Sequence, residues 1–324
     1  MKRIQFKNTY LEVSPVCIGT VNFCTSVDSD TAKHQLEKFF EMGGNFIDTA
    51  HVYGDWEAGP KGKSERIIGE WLNENGVRSN IVISTKGGHP DLSDMDLSKI
   101  NPERIGKDLD ESLEYLKTDY IDLYFLHRDN PDIPVDEFLG VLEEAKRQGK
   151  IRYYGCSNWK LDRIVEAENY ARKNGFTGFT CNQVMWSLAD INSSGISDKT
   201  LVLMDDKTYE YHKKTGLNAM AYTSAAKGYF TKLYNRQDIS DKISSRYDTP
   251  SNRLIFEELV KTAEKMNVSL IEIELAYLTH QDFACIPIVT FSNDEQLKQG
   301  IKSCDIVLDP GIVEKLRNLK RYVI

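Results

Sequence analysis

The chain of 324 residues carries 49 acidic against 41 basic side chains, a formal net charge of −8, with 40% hydrophobic and 28% charged residues. That balance excludes disorder and low complexity, and with no basic stripe to offset the acidity no nucleic-acid partner is expected. No run reaches the ~18 apolar residues of a membrane span, and Met1-Lys2-Arg3-Ile4-Gln5-Phe6-Lys7 lacks the apolar core of a secretory signal, so no membrane partner is expected.

In chain order, Ile4 and Phe6, then Tyr10-Leu11-Glu12-Val13, alternate apolar with polar residues as a small hairpin would. Val16-Cys17-Ile18-Gly19-Thr20 is a continuous apolar run, the mark of a parallel strand covered on both faces. Asp30-Thr31 caps a predicted helix with Leu36, Phe39 and Phe40 on one side, and Gly43-Gly44 ends it. Strand and helix then alternate. A strand at Asn45 to Ile47 precedes a helix over 64–75 stopped at Gly76; a strand over 81–85 precedes a helix over 101–116 with Pro102 in its first turn. Further strands are predicted over 120–126, 151–156, 179–183, 217–222 and 284–288, with helices over 134–148, 161–173, 207–214 and onward from Ser251. Two connections, 187–206 and 223–250, are rich in Ser, Asn, Asp and Gly and read as mobile walls. Eight core strands separated by helices predict an α/β fold: a (β/α)8 TIM barrel in a single domain, 1–324, with the N-terminal hairpin at the barrel bottom.

In such a barrel the site lies at the carboxyl ends of the strands. Three predicted strands end in polar tips: Asp48 and Thr49, with Tyr53 in the loop behind them; Lys86; and His127. The order of these residues, the run Asp48-Thr49-Ala50-His51-Val52-Tyr53-Gly54, and the pieces Ser64-Glu65-Arg66-Ile67-Ile68-Gly69, Thr85-Lys86-Gly87, Gly155-Cys156-Ser157-Asn158, Gln183 and Ala221-Tyr222-Thr223-Ser224 resemble the aldo-keto reductases. The resemblance covers essentially the whole chain and implies an NAD(P)H-dependent enzyme that reduces an aldehyde or ketone to an alcohol.

The chemistry fits the residues. A phenol with a pKa near 10 is a poor proton donor to a carbonyl oxygen unless a nearby cation stabilises its ionised form. Lys86 supplies that cation, Asp48 would hold Lys86 by a buried ion pair, His127 would orient the carbonyl oxygen, and Tyr53 would act as general acid. The resemblance implies a nicotinamide cradle of Ser157, Asn158 and Gln183 around the carboxamide, with Tyr222 stacked on the ring and Thr223, Ser224 and Lys227 along the diphosphate. At the adenine end Thr290, Ser292 and Gln296 are the candidates. Ser292 stands where many relatives carry a basic side chain, and Gln299-Gly300 where Glu-Asn is common. The resemblance implies NADP(H), and these two departures from its pattern keep NAD(H) as the other cofactor allowed. The absence of G-x-G-x-x-G argues against a Rossmann site.

Blander readings stand beside these. Asp48 with Lys86 is equally an ordinary buried ion pair, His127 a satisfied core histidine, and Tyr53 packing. Trp56, Trp159 and Trp186 follow strand ends and read either as substrate-pocket walls or as loop packing. Arg128 pairs with Asp129 or reaches an anionic substrate. His51, His89 and His127 with Asp48 lack H-x-H or carboxylate-rich spacing, so no metal is expected. Six cysteines without a C-x-x-C pair fit reduced thiols and a cytoplasmic location. Partners are expected to be a small-molecule carbonyl substrate and at most a weak homo-oligomer. The alternative from another class is a redox sensor or regulatory subunit that binds the cofactor with little turnover.

Overall fold

The computed structural model of the chain describes residues 1–320, so the last four residues of the expected 1–324 unit lie outside it. Strands β1 (Ile4–Gln5) and β2 (Glu12–Val13) pair antiparallel, with Ile4 opposite Val13. Eight parallel strands follow: β3 (Cys17–Gly19), β4 (Phe46–Asp48), β5 (Val82–Gly87), β6 (Ile121–Leu126), β7 (Ile151–Ser157), β8 (Cys181–Met185), β9 (Asn218–Tyr222) and β10 (Cys285–Val289). They close into a barrel in sequence order, with β10 pairing both β3 and β9. Each is nearly all buried, because helices cover one face and the packed interior the other. The chain is thus a closed (β/α)8 barrel with an added hairpin. Phe6, Leu11 and Val13 from the hairpin pack on Cys17, Phe46 and Cys181, the first residues of β3, β4 and β8, and so plug the amino-terminal end of the barrel.

The helices outside are α1 (Ser29–Glu41), α2 (Lys63–Asn75), α3 (Pro102–Tyr115), α4 (Val135–Arg147), α5 (Leu161–Asn174), α6 (Asp206–Thr215), α7 (Tyr229–Tyr234), α8 (Asp241–Tyr247), α9 (Pro250–Met266), α10 (Leu270–Thr279), α11 (Asp294–Lys302) and α12 (Pro310–Leu319). Local signals account for many boundaries. Asn101 caps α3 by accepting from the Arg104 amide, with Pro102 in the first turn, and Gly76 and Gly175 close α2 and α5 in the left-handed conformation.

Three expectations need correction. The cap of helix α1 lies two residues before Asp30, because Asp28 is the residue whose carboxylate accepts the Thr31 amide. The connection 223–250 is not a bare loop: it carries α7 and α8, whose Phe230 and Tyr247 are fully buried. The helical pattern after Ser251 is two helices, not one. Asn267 takes a left-handed φ of 54° and Ser269 opens α10 with a capping box to Glu272, so the direction changes within a continuous apolar pattern.

Candidate active site

Because all eight strands run the same way, their carboxyl ends meet around one opening. Register places Asp48 beside Gly19 and Ser84, Lys86 beside Phe125, and Ser157 beside Gln183. The loop after β4 is drawn over this opening by the His51 amide, which donates to the Lys86 carbonyl at 3.0 Å, and by a turn in which the Tyr53 amide donates to Ala50. Gly54 then takes φ +92°, where a Cβ would lie 2.9 Å from the Lys63 Cβ, so glycine lets the loop pass close against the start of α2.

Lys86 is 1% exposed, and its ammonium donates to Asp48 Oδ2 (2.7 Å), the Thr49 carbonyl (2.6 Å) and the Tyr53 hydroxyl oxygen (3.2 Å). Those are all three of its protons. The phenol oxygen accepts from Lys86, which leaves the Tyr53 proton available to another acceptor. Burial pulls the Lys86 pKa down, but Asp48 and Tyr53 outweigh it and the net direction is up, so the lysine stays charged. On its other oxygen Asp48 accepts from Ser84 Oγ (2.7 Å) and Gln183 Nε2 (2.8 Å). The carboxylate is therefore fully coordinated inside the barrel.

His127 caps β6, edge-on to Tyr53 at 6.0 Å between ring centroids and to His89 at 4.7 Å. Burial, then His89 and Arg128, holds its pKa well below the usual histidine value, so the ring is neutral and carries one N–H. Its Nδ1 is buried without a partner among the described residues. His89 is likewise lowered, to about 4, by burial and then by Arg128.

Asp48, Tyr53, His89 and His127 line a cavity of about 760 Å³, with Lys86 behind them on the Tyr53 hydroxyl. Ser157, Asn158, Gln183, Tyr222, Thr223, Ser224 and Lys227 line the same cavity, as do Thr290, Ser292, Gln296 and Gln299. Asn158, at φ 59°, accepts from the Tyr222 hydroxyl (2.5 Å) and the Val202 amide, and donates to Ser157 Oγ (3.0 Å). Gln183 gives one amide N–H to Asp48 at 2.8 Å, which leaves its second N–H and its carbonyl oxygen. Ser292 donates its amide to the Gln296 side chain at 2.9 Å.

Of the three tryptophans considered for the pocket, Trp56 lines it, 46% exposed. Trp159 and Trp186 do not. Trp159 is wedged between Phe138 and Phe179, and Trp186 stacks on Phe283 beside Tyr209, because the chain after β7 and β8 turns outward into the helical layer. The wall residues beyond the strand-tip motifs include His89, Leu92, Arg128, Leu201, Lys232 and Ile271. Arg128 pairs with Asp198 (3.3 Å) rather than with Asp129, which Arg163 takes. Nothing local marks Ile271 or Lys232, which reach the cavity from α10 and α7.

His51, Asp108 and Glu111 bring ligand-type atoms within 4.8 Å of one another behind β5. Asp108 is already bonded by Arg104 (3.0 Å) and the Gly88 amide (2.9 Å), and His51 Nε2 lies 2.7 Å from Glu111, so the group is satisfied as an ion-pair cluster. No helix among the described residues is long and apolar enough to cross a membrane.

Comparison with known proteins bears on the same features. The chain is 28% identical to the uncharacterized oxidoreductase YrpG of Bacillus subtilis, over 96% of this chain and 93% of YrpG. It is 27% identical to a norsolorinic acid reductase of Aspergillus flavus, over 99% of this chain and 81% of the relative. A thermostable aldo-keto reductase solved with the inhibitor epalrestat superposes with a TM-score of 0.72 at 24% identity, covering 98% of this chain and 100% of that one. With the Aldo/keto reductase family profile matching residues 15–321, the chain belongs to the aldo/keto reductase family of oxidoreductases.

Proposed function

We propose that the protein is an NAD(P)H-dependent reductase of apolar aldehydes or ketones, with Tyr53 as the proton donor. The observation that carries this reading is the Lys86 ammonium bonded at once to Asp48 and to the Tyr53 hydroxyl, both of which line the large cavity. A carbonyl oxygen placed against Tyr53 would take the phenol proton, and Lys86 would stabilise the phenolate left behind. Asp48, held by Ser84 and Gln183, keeps the lysine charged and fixed. The neutral His127 would donate its single N–H to the same carbonyl oxygen and so fix its approach.

The cavity suits a dinucleotide: it is long enough to run from Tyr53 to Gln299 and pairs a polar cradle with the stacking face of Tyr222. Ser157, Asn158, Gln183 and Tyr222 would hold the nicotinamide end, Thr223, Ser224 and Lys227 the diphosphate, and Thr290, Ser292 and Gln296 the adenosine end. When bound, the reduced nicotinamide supplies the hydride to the carbonyl carbon. The lip around Tyr53 is made of Val52, Trp56, Leu92 and Leu201, which supports an apolar or aromatic substrate over a sugar. Free cysteines throughout the described residues suit a reducing, cytoplasmic setting.

The test is nicotinamide oxidation by the purified protein against aromatic aldehydes, diketones and aldoses, with wild type and Tyr53→Phe side by side. Turnover of the aromatic aldehydes is expected, with loss in the variant and unchanged cofactor binding by tryptophan fluorescence. Tight cofactor binding with no turnover of any substrate would instead favour a cofactor-binding regulatory module, and unimpaired Tyr53→Phe would remove Tyr53 from the mechanism.

A further inference from the structure

Two polar side chains abut His127 in the cavity, Arg128 and His89. Arg128 donates from Nη1 to the His127 carbonyl at 2.9 Å, and the His89 ring stands edge-on to the His127 ring with 4.7 Å between centroids. His89 Nδ1 lies 2.7 Å from the Pro90 carbonyl oxygen, which can only accept. The proton of the neutral ring therefore sits on Nδ1, and Nε2 carries a lone pair. Among the described residues no hydrogen bond engages Nε2 and the atom is not sealed in the protein, so the lone pair faces the cavity that His89 lines. The low pKa of His89 keeps it an acceptor through the neutral range.

Arg128 supplies the complementary half. Its Nε donates to Thr200 Oγ1 (2.8 Å), Nη1 to the His127 carbonyl and Nη2 to Asp198 (3.3 Å), which anchors a side chain only 5% exposed. Each terminal nitrogen keeps a second N–H beyond these bonds, so the anchored guanidinium still has donors to offer. Its charge is already met by Asp198, so it offers them without an unmatched positive charge. A lone pair on one flank of His127 and N–H donors on the other are the complement of a hydroxyl, which gives one hydrogen bond and takes another. A carboxylate or a second carbonyl could accept from Arg128 but would meet the His89 lone pair, and an ether would leave that lone pair unused.

Resting on the reading of Tyr53 and His127 as the groups that receive the carbonyl oxygen, we infer that His89 and Arg128 form a specificity site for a hydroxyl on the carbon next to the reacting carbonyl. The preferred substrates are then α-hydroxy ketones or α-hydroxy aldehydes on an apolar or aromatic skeleton. The placement follows from His127. A carbonyl oxygen held by its N–H keeps an α-hydroxyl within a few ångström of the same ring, which is where His89 and Arg128 abut it. Trp56 and Leu92 on the lip are left to the apolar remainder of the molecule. A site built to bond a hydroxyl discriminates well, because an analogue without the hydroxyl proton leaves the site's own polar groups unpaired.

The experiment measures kcat/KM of the full chain for α-hydroxyacetophenone, α-methoxyacetophenone, acetophenone and phenylglyoxylate, in wild type, His89→Leu and His89→Gln. Wild type is expected to favour the hydroxy ketone over its methoxy analogue at least about tenfold. His89→Leu, which has no acceptor, is expected to cut that ratio roughly tenfold, and His89→Gln, whose amide oxygen still accepts, to keep it within about threefold of wild type. The ratio is taken within each variant, so a general loss of turnover cancels and a damaged cavity does not imitate the result. Equal rates for the hydroxy and methoxy ketones in wild type, an unchanged ratio in His89→Leu, or phenylglyoxylate as the best substrate overturns the hydroxyl assignment. So does failure to reduce α-hydroxyacetophenone by protein that reduces aromatic aldehydes, and each of these leaves the reductase reading intact. Turnover of no ketone and no aldehyde overturns that reading as well.

Discussion

Two regions of the molecule are built on opposite principles. At the Tyr53 end each proton of Lys86 and both oxygens of Asp48 are used within the protein, across β4, β5 and β8. Beside α7 and α8, Arg246 is buried with its Nε unpaired among the described residues, and burial and then Arg246 lower the Lys227 pKa. The first arrangement is satisfied within the protein, and the second leaves a buried donor without an acceptor.

The sharpest way to break that contrast is kinetic. Tyr53→Phe should lower kcat by roughly 10³-fold with cofactor affinity within a factor of two. An equal fall in cofactor affinity would mean that the Tyr53 corner holds the cofactor and not only the reacting carbonyl. A stability measurement comes next. Lys86→Met leaves Asp48 buried against only neutral donors and should cost about 3–5 kcal/mol in urea unfolding. A cost below about 1 kcal/mol would mean that the corner tolerates an unpaired charge.

Glu65 extends the comparison to pH. It lies fully buried behind β5, accepting from Thr85 Oγ1 at 2.5 Å, and burial raises its pKa to about 7. A carboxyl whose folded pKa exceeds its unfolded value keeps its proton in the folded state while the unfolded chain loses it. Stability from this group is therefore fully present below about pH 4.5 and falls as pH rises towards 7, by roughly 3 kcal/mol in all. Glu65→Gln keeps an acceptor for Thr85 and should flatten unfolding free energy against pH across that window. An unchanged pH slope would show that Glu65 does not hold its proton.

The smallest effect expected is beside α7 and α8. Lys227→Met relieves repulsion from Arg246, Lys242 and Lys232 at an exposed position and should stabilise by no more than about 0.5 kcal/mol after solvent screening. Its sign is opposite to that of Lys86→Met. A destabilised Lys227→Met would show that the lysine already has a partner.

Much of the barrel and its chemistry could be read locally. Asp48, Lys86 and His127 each follow an apolar run, and strand-end position alone directs them to one face of a parallel barrel. Tyr53 follows within five residues of Asp48, and Gly54 supplies the turn the geometry requires. Helix stops at Gly76 and Gly175 and the Asn101-Pro102 start are likewise properties of a few adjacent residues.

Only the tertiary structure decided where the remaining polar and aromatic groups found partners. The Gln183 amide bonds Asp48 across 135 positions of sequence, Ile271 reaches the cavity from α10, and Arg246 is buried on α8 within a segment, 223–250, that folds into two helices. Trp159 and Trp186 went to the helical layer for the same reason, since their apolar surface could be buried there against Phe138, Phe179 and Phe283. Periodicity and turn chemistry act over a few residues and so are written in the sequence. The pairing of a charge or the destination of a ring is settled by whichever groups packing brings within reach.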